Sequence, residues 1–304
     1  MAENILVFRI GQASVPILSG TAGAGITLLD ACLVDGFNPF SVSTITVTAN
    51  VATVTTSGAH GLVATDNVVF SGANESVFND RFTVLDVLSS TQFRFEVVTA
   101  TASATGTIAG KIPPLGWTKP YSGTNLAVYR APAGNRYYLR VDDTTAQYMS
   151  VRMFETMTDV NTGTGGSATV YWRKSNASDS SSRSWFIVGG ARGFYFTSAW
   201  HASYWLNHYV HGFGDFVSYK ENDLYNTLLI GTNGTTITYF GQNQGFSFLN
   251  MLPSEYGDTE IGQYVIRDFR GLNNSTWFSK VAAVLARICW LSDRFLYHQS
   301  PDGV

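Results

Sequence analysis

Between Thr44 and Ile108 the chain alternates apolar and polar residues at the two-residue period of a β-strand. Residues 44–48 and 52–56 are rich in Ile, Val and Thr on either side of the turn-forming Asn50, a hairpin pattern. Runs at 67–71, 81–87 and 92–97 follow, separated by Gly, Asn, Asp and Ser. The last sets Phe93, Phe95 and Val97 against Gln92, Arg94 and Glu96, so one face is buried and the other wet. Residues 105–108 close a unit of about six strands, the make-up of a small barrel or sandwich with boundaries near 42 and 110.

Outside that unit the pattern predicts a strand at residues 1–10 and a short helix at 26–35. The helix rests on Ile26, Leu29, Cys32, Leu33 and Val34, with Gly36 as its stop. Aromatic-rich strands are predicted at 126–130, 136–141, 151–157, 169–173, 185–188, 193–200, 204–210 and 228–230, with another at 235–240 after the turn at 232–234. Residues 162–166 and 175–184 read as polar loops, the second exposed or mobile because it offers almost nothing to bury. The segment 212–216, Gly-Phe-Gly-Asp-Phe, reads as a tight loop anchoring two aromatics. Residues 279–290 suit a helix or a buried strand. The expected fold is mainly β: a sandwich- or barrel-like main domain (1–41 plus 111–304), an inserted small β module (42–110), and one or two short helices.

Composition changes this picture in one respect. Hydrophobic residues make up 45% of the 304 and charged residues only 13%, so much of the surface is Ser, Thr, Asn and Gly. Weak electrostatic repulsion, together with 15 Tyr and 7 Trp, favours association as much as a well-packed monomer. A net charge of -3 with 19 Lys plus Arg gives no concentrated basic face for nucleic acid. Cys32 and Cys289 form neither a metal spacing nor a disulfide framework, and are expected as buried thiols. The start lacks the grammar of a secretory signal, and no run of 18 apolar residues offers a membrane span.

Candidate chemistry is sparse. Gly20, Gly23 and Gly25 superficially resemble a dinucleotide loop, but no βαβ unit follows and a bend is expected. His201, His208 and His211, with Asp215, are the one histidine group. Without an HExxH helix, and with His208 and His211 on opposite faces of a strand, packing is favoured over zinc. Asp142, Asp143, Glu155 and Asp159 are spaced so that adjacent strands bring carboxylates together, as glycan cleavage or calcium binding requires. The run Asp142-Asp-Thr-Thr145 equally marks a strand entering a turn, where Asp accepts backbone hydrogen bonds. No catalytic, cofactor or metal residue is assigned, and no enzyme activity is expected.

One set of motifs is more specific: Ser57-Gly-Ala-His60-Gly61-Leu62, Asp66-Asn-Val-Val-Phe-Ser-Gly72, Phe78-Asn79, Phe82-Thr83-Val84, Thr91-Gln-Phe93 and Ala104-Thr-Gly-Thr-Ile108. This resembles the HGL-containing β module inserted in many tailed-bacteriophage virion and tail proteins. The resemblance implies a scaffolding role, with a sharp turn at Gly61, Leu62 and Phe82 plugging the core and His60 tying a loop. Members carry Gly before the motif's Asp, where this chain has Thr65. The flanks, including Ser19-Gly-Thr-Ala-Gly23, Leu29-Asp-Ala-Cys-Leu-Val-Asp-Gly-Phe37, Gly116-Trp-Thr-Lys-Pro-Tyr-Ser-Gly-Thr-Asn125 and Tyr138-Leu-Arg-Val-Asp-Asp143, are similar to a family of tail-associated phage virion structural proteins. Further matching blocks are Glu155-Thr-Met-Thr-Asp-Val160, Tyr171-Trp-Arg-Lys-Ser175 and Gly214-Asp-Phe-Val-Ser-Tyr-Lys220.

The resemblance implies a virion protein, assembled in the bacterial host cytoplasm, that packs against copies of itself and neighbouring phage structural proteins in a symmetric assembly. It supplies no catalytic residues and no cofactor. A capsid-decorating protein is the close alternative, and a host-surface protein that binds or degrades glycan the more distant one.

Overall fold

The computed structural model describes residues 5–203, 208–215, 226–232 and 263–267. The fold is mainly β, and the chain divides into two compact units: Met1–Ile10, Ile17–Leu29 and Trp117–Val304 form the first, Gly11–Pro16 and Asp30–Gly116 the second. In chain order the strands are β1 (Leu6–Arg9), β2 (Phe37–Thr48), β3 (Val51–Thr56), β4 (Asn67–Ala73), β5 (Arg81–Ser89), β6 (Gln92–Glu96), β7 (Gly106–Ile112), β8 (Thr118–Gly123), β9 (Leu126–Arg130) and β10 (Tyr138–Asp142). They continue as β11 (Tyr148–Phe154), β12 (Thr156–Met157), β13 (Gly163–Thr164), β14 (Val170–Arg173), β15 (Trp185–Gly189), β16 (Gly193–Ala199), β17 (His208–Asp215), β18 (Thr227–Thr232) and β19 (Gln263–Arg267).

The second unit is a closed six-stranded barrel in the order β2-β3-β6-β5-β4-β7. It is wider than residues 42–110, because β2 already starts at Phe37 and β7 runs to Ile112. The β2–β3 hairpin turns through Ala49 and Asn50, both at positive φ (49° and 63°), the two-residue geometry that matches strand twist. Inside the barrel, Phe70, Phe93 and Phe95 are fully buried. Phe82 lies 4.1 Å from Phe95, and Phe40 meets Phe93 edge-on at 6.0 Å. Gly110 on β7 makes this aromatic packing possible, since a Cβ there would fall 2.5 Å from the Phe40 ring.

The first unit is built on an antiparallel sheet in the order β1-β15-β16-β17-β18-β14-β11-β10-β9-β8, with β19 also paired to β18. Its register lines up one row of side chains across the sheet: Phe8 opposite Ile187, Ile187 opposite Phe196, Phe196 opposite His211, and Trp172 opposite Met149. All six are buried, with Trp172 stacked on His211 at 5.8 Å. Trp117 closes the neighbouring row against Phe194 and Phe213, its indole N–H donating to the Gly190 carbonyl at 3.0 Å. On the opposite face a smaller cluster of Val128, Phe154 and Met157, with Tyr121, Tyr138 and Val160 packed against it, lies beneath the β12–β13 segment.

Several expectations are corrected. The helix begins two residues earlier, as α1 (Ala24–Leu29), and continues as a π-helical turn, Asp30–Asp35. Gly36 ends it at φ 72°, its N–H reaching the Ala31 carbonyl five residues back. Residues 212–215 are not a loop but the second half of β17. Gly212 lies under the Tyr195 ring, and Gly214 lies so close to Gly193 that a Cβ would come within 2.3 Å of its Cα. Both glycines serve close strand contact rather than a turn. β8 has no counterpart among the predicted strands: it is a sheet edge carrying Lys119 and Pro120, residues that suppress edge pairing and also the strand signal. Gly163–Thr164, expected in a loop, pairs with Thr156–Met157. The predicted elements at 235–240 and 279–290, and Cys289, lie outside the described residues, whereas Cys32 is a buried thiol whose pKa burial raises. No helix among the described residues is long and apolar enough to cross a membrane.

Candidate functional site

The four acidic candidates separate. Asp142 accepts from the N–H and hydroxyl of Thr144 (3.3 and 2.7 Å), and Asp159 from the N–H groups of Asn161 and Thr162 (2.7 and 2.9 Å), so both are turn residues. β10 and β11 pair with Tyr138 opposite Phe154 and Asp142 opposite Ser150, which sets Asp142 and Glu155 at opposite ends of the hairpin. Five residues of strand, about 17 Å, divide them, well beyond the span over which paired carboxylates act on a glycosidic bond.

Asp143, one residue past β10, is buried, as is Lys174, one residue past β14. The Lys174 ammonium pairs with Asp143 Oδ1, and Nζ also donates to the Thr21 carbonyl at 2.6 Å. Asp143 Oδ2 accepts from the backbone N–H groups of Gly25 (2.8 Å) and Ile26 (3.2 Å). Backbone bonds fix both residues: Asp143 N–H to Asn125, Gly23 N–H to the Asp143 carbonyl, and Lys174 N–H to Gln147. The expected bend at Gly20, Gly23 and Gly25 is therefore a clasp. A Cβ on Gly25 would collide with Met149 Sδ and press on the Asp143 carboxylate, and one on Gly20 would overlap the Ala177 carbonyl. Burial pushes the Asp143 carboxyl up against the downward pull of Lys174 and the backbone donors. Burial likewise pushes the Lys174 amine down against the pull of Asp143.

The histidines are not gathered. His211 is buried in the aromatic row, its Nε2 facing the Arg173 carbonyl at 3.3 Å and Ser198 Oγ at 3.4 Å. Ser198 spends its own hydroxyl proton on the same carbonyl, so the Ser–His contact is structural. Desolvation lowers the His211 pKa to about 3. A second proton would enter on Nδ1, which is buried and meets no acceptor among the described residues. His201 accepts the Ser203 N–H and packs on Trp200, while the side chain of His208 lies outside the described residues. Asp215 accepts from Asn135 N–H (2.6 Å) and Thr227 Oγ1 (2.5 Å), holding a loop to the sheet. Among the described residues no three His, Cys, Asp or Glu side chains are placed to hold a metal.

In the barrel, His60 is buried as a loop tie. Its Nδ1 accepts the Leu62 N–H (3.0 Å), its backbone N–H donates to Ser90, and its carbonyl accepts from Asn38 Nδ2 (2.8 Å). Gly61 turns at φ 64°, and Asp66 accepts from Val63 N–H and Gln12 Nε2. Thr65 stands at φ 74°, the left-handed conformation that glycine adopts readily.

One surface feature escaped sequence reading. Arg130, Tyr138, Arg140, Asp142, Tyr148, Ser150, Arg152 and Tyr171 are half-buried along β9, β10, β11 and β14, on the side opposite the buried Leu139, Val141, Met149, Val151 and Met153. Arg140 lies directly opposite Arg152. Each brings its Nε to a loop carbonyl, Val160 at 2.7 Å and Ser167 at 2.9 Å, which offsets their mutual repulsion. Arg130 stacks over Tyr138 and Arg152 over Phe154, both at 4.7 Å. The signal was available as Tyr-x-Arg-x-Asp on β10 and Tyr-x-Ser-x-Arg on β11.

No family model matches the chain, and no curated protein matches it. Among solved structures it is similar to the phage phi92 endosialidase at 17% identity, over 68% of this chain and 36% of that one, with a TM-score of 0.22. The chain thus spans about a third of that protein's length.

Proposed function

We propose that the chain is a structural subunit of a tailed-phage particle, tail-associated, that works by packing against copies of itself and neighbouring virion proteins. The observation that carries this reading is the arginine and tyrosine face. Tyr and Arg are the residue types that dominate buried protein contacts, and here they line a firm sheet on strands whose other side is core. The resemblance of the barrel and its flanks to phage virion modules agrees with it. So does the use of Asp143, Lys174, His211 and Asp215 as internal ties.

Purified particles, digested and analysed by mass spectrometry, are expected to contain this chain at a fixed copy number. Its absence from clean particles defeats the reading. Imaging particles with the chain labelled is expected to place it on the tail, and a label spread over the head assigns it to the capsid instead. Arg152→Ala with Tyr171→Ala is expected to reduce incorporation at least tenfold while leaving the monomer folded.

A further inference from the structure

We propose that Lys174 and Asp143 are the partners of an intramolecular isopeptide bond, an amide formed between Lys174 Nζ and Asp143 Cγ within the folded first unit. The proposal stands on four observations. The amine and the carboxyl face each other with both side chains sealed from solvent. The backbones of both residues are pinned, so neither can swing away. The Thr21 carbonyl receives one Nζ hydrogen and orients the amine. Finally, Gly25 and Ile26 aim two backbone N–H groups at Oδ2 alone, leaving Oδ1 on the lysine side.

That division of labour between the carboxylate oxygens suits condensation. Transfer of one proton from the ammonium to the carboxylate gives a neutral amine beside a neutral acid. Burial favours this exchange, because it disfavours both charged forms. The Nζ lone pair then adds to Cγ, and the negative charge develops on Oδ2, where the two backbone donors stabilise it. A proton passes from Nζ to Oδ1, the Cγ–Oδ1 bond breaks, and Oδ1 leaves as water with two hydrogens. One N–C bond forms, one C–O bond breaks, and no oxidant, reductant or added reagent is needed. Fixed proximity replaces the activation that amide formation requires between free groups. The product ties the strand ends after β10 and β14 across 30 intervening residues, and replaces a buried ion pair by a neutral amide whose oxygen keeps both N–H donors.

The test is the intact mass of the full chain, purified folded and held at the growth temperature before denaturation. The expected mass is one water below the sequence mass. Trypsin is then expected to release residues 141–152 joined to 174–183, with no cleavage after the acylated Lys174. Asp143→Asn, which removes the carboxylate that takes the ammonium proton, and Lys174→Arg are each expected to give the full mass of the variant chain. A wild-type chain at its full sequence mass, yielding 141–152 and 175–183 as separate peptides, overturns the proposal and leaves a non-covalent ion pair.

Discussion

Thr65 carries a conformation that its side chain resists. A β-branched residue at φ 74° crowds its own backbone, and here the turn is imposed from both sides: Thr65 N–H donates to Val84, and Asp66 holds Val63. The Thr65 side chain is exposed, so its removal costs no packing. Thr65→Gly is expected to raise the free energy of unfolding by about 1 kcal/mol, read as a higher urea midpoint with an unchanged slope. A lower midpoint would refute the strain. His211 gives a second prediction, in pH. Its folded pKa of about 3 lies below the ordinary 6.5, so the unfolded chain binds the extra proton first. Stability is therefore full above 6.5 and declines as pH falls towards 3, by up to about 1.4 kcal/mol per pH unit from this residue. His211→Phe, which keeps a ring in the row, is expected to flatten the urea-midpoint profile between pH 6.5 and 5. At this scale the sequence was legible where a residue acts locally, as with His60 and Gly61. Asp143 stood out as a carboxylate, but its pairing with Lys174 is not legible in the sequence, because the two lie 30 intervening residues apart and meet only through the register of the sheet.

At the scale of elements, legibility followed side-chain alternation. Leu126–Arg130 was read at its true bounds because its neighbours are Asn and Pro-containing turns, whereas β17 was cut short because Gly212 and Gly214 look like turn residues when the rings and backbone that need them are unseen. The segment 175–184 is the polar, exposed loop that its composition predicts, but its anchoring is not legible there. Its middle is exposed, but Ser175 and Arg183 are buried, and the Arg183 guanidinium gathers Ser175 Oγ, Asn176 Oδ1, Asp179 Oδ2 and the Ser181 carbonyl. A single planar cation thus organises a loop that composition describes as unsupported. Arg183→Lys keeps the charge but loses the fork. It is expected to lower stability by about 2 kcal/mol and to make this loop the first site nicked by a protease of broad specificity. Asp179 adds a pH dependence of definite sign. The Arg183 hydrogen bond holds its pKa below the usual carboxylate range, so the clasp is intact above that range and loosens as pH falls through the lowered value.

For the whole molecule, the division into two units makes a prediction about folding. The barrel has no open edge, and its core of Phe70, Phe93, Phe95, Val54, Val68 and Ile108 comes from its own strands. Closure satisfies the backbone groups that an open sheet of this size would expose, and the aromatic core supplies the apolar burial a domain of this length requires. A fragment of residues 30–116 is therefore expected to fold alone, with strand-rich circular dichroism, dispersed amide resonances and a single cooperative urea transition. Residues 11–16 belong to the same unit, where Gln12 Nε2 donates to Asp66 Oδ1 at 3.0 Å and Ser14 Oγ meets Asn38. The shorter fragment is accordingly expected to unfold about 1 kcal/mol more easily than one of residues 11–116, the usual worth of a hydrogen bond between buried polar groups. A fragment that stays collapsed without dispersed resonances would mean that the barrel depends on the rest of the chain. Equal midpoints for the two fragments would mean instead that the Gln12 bond contributes nothing.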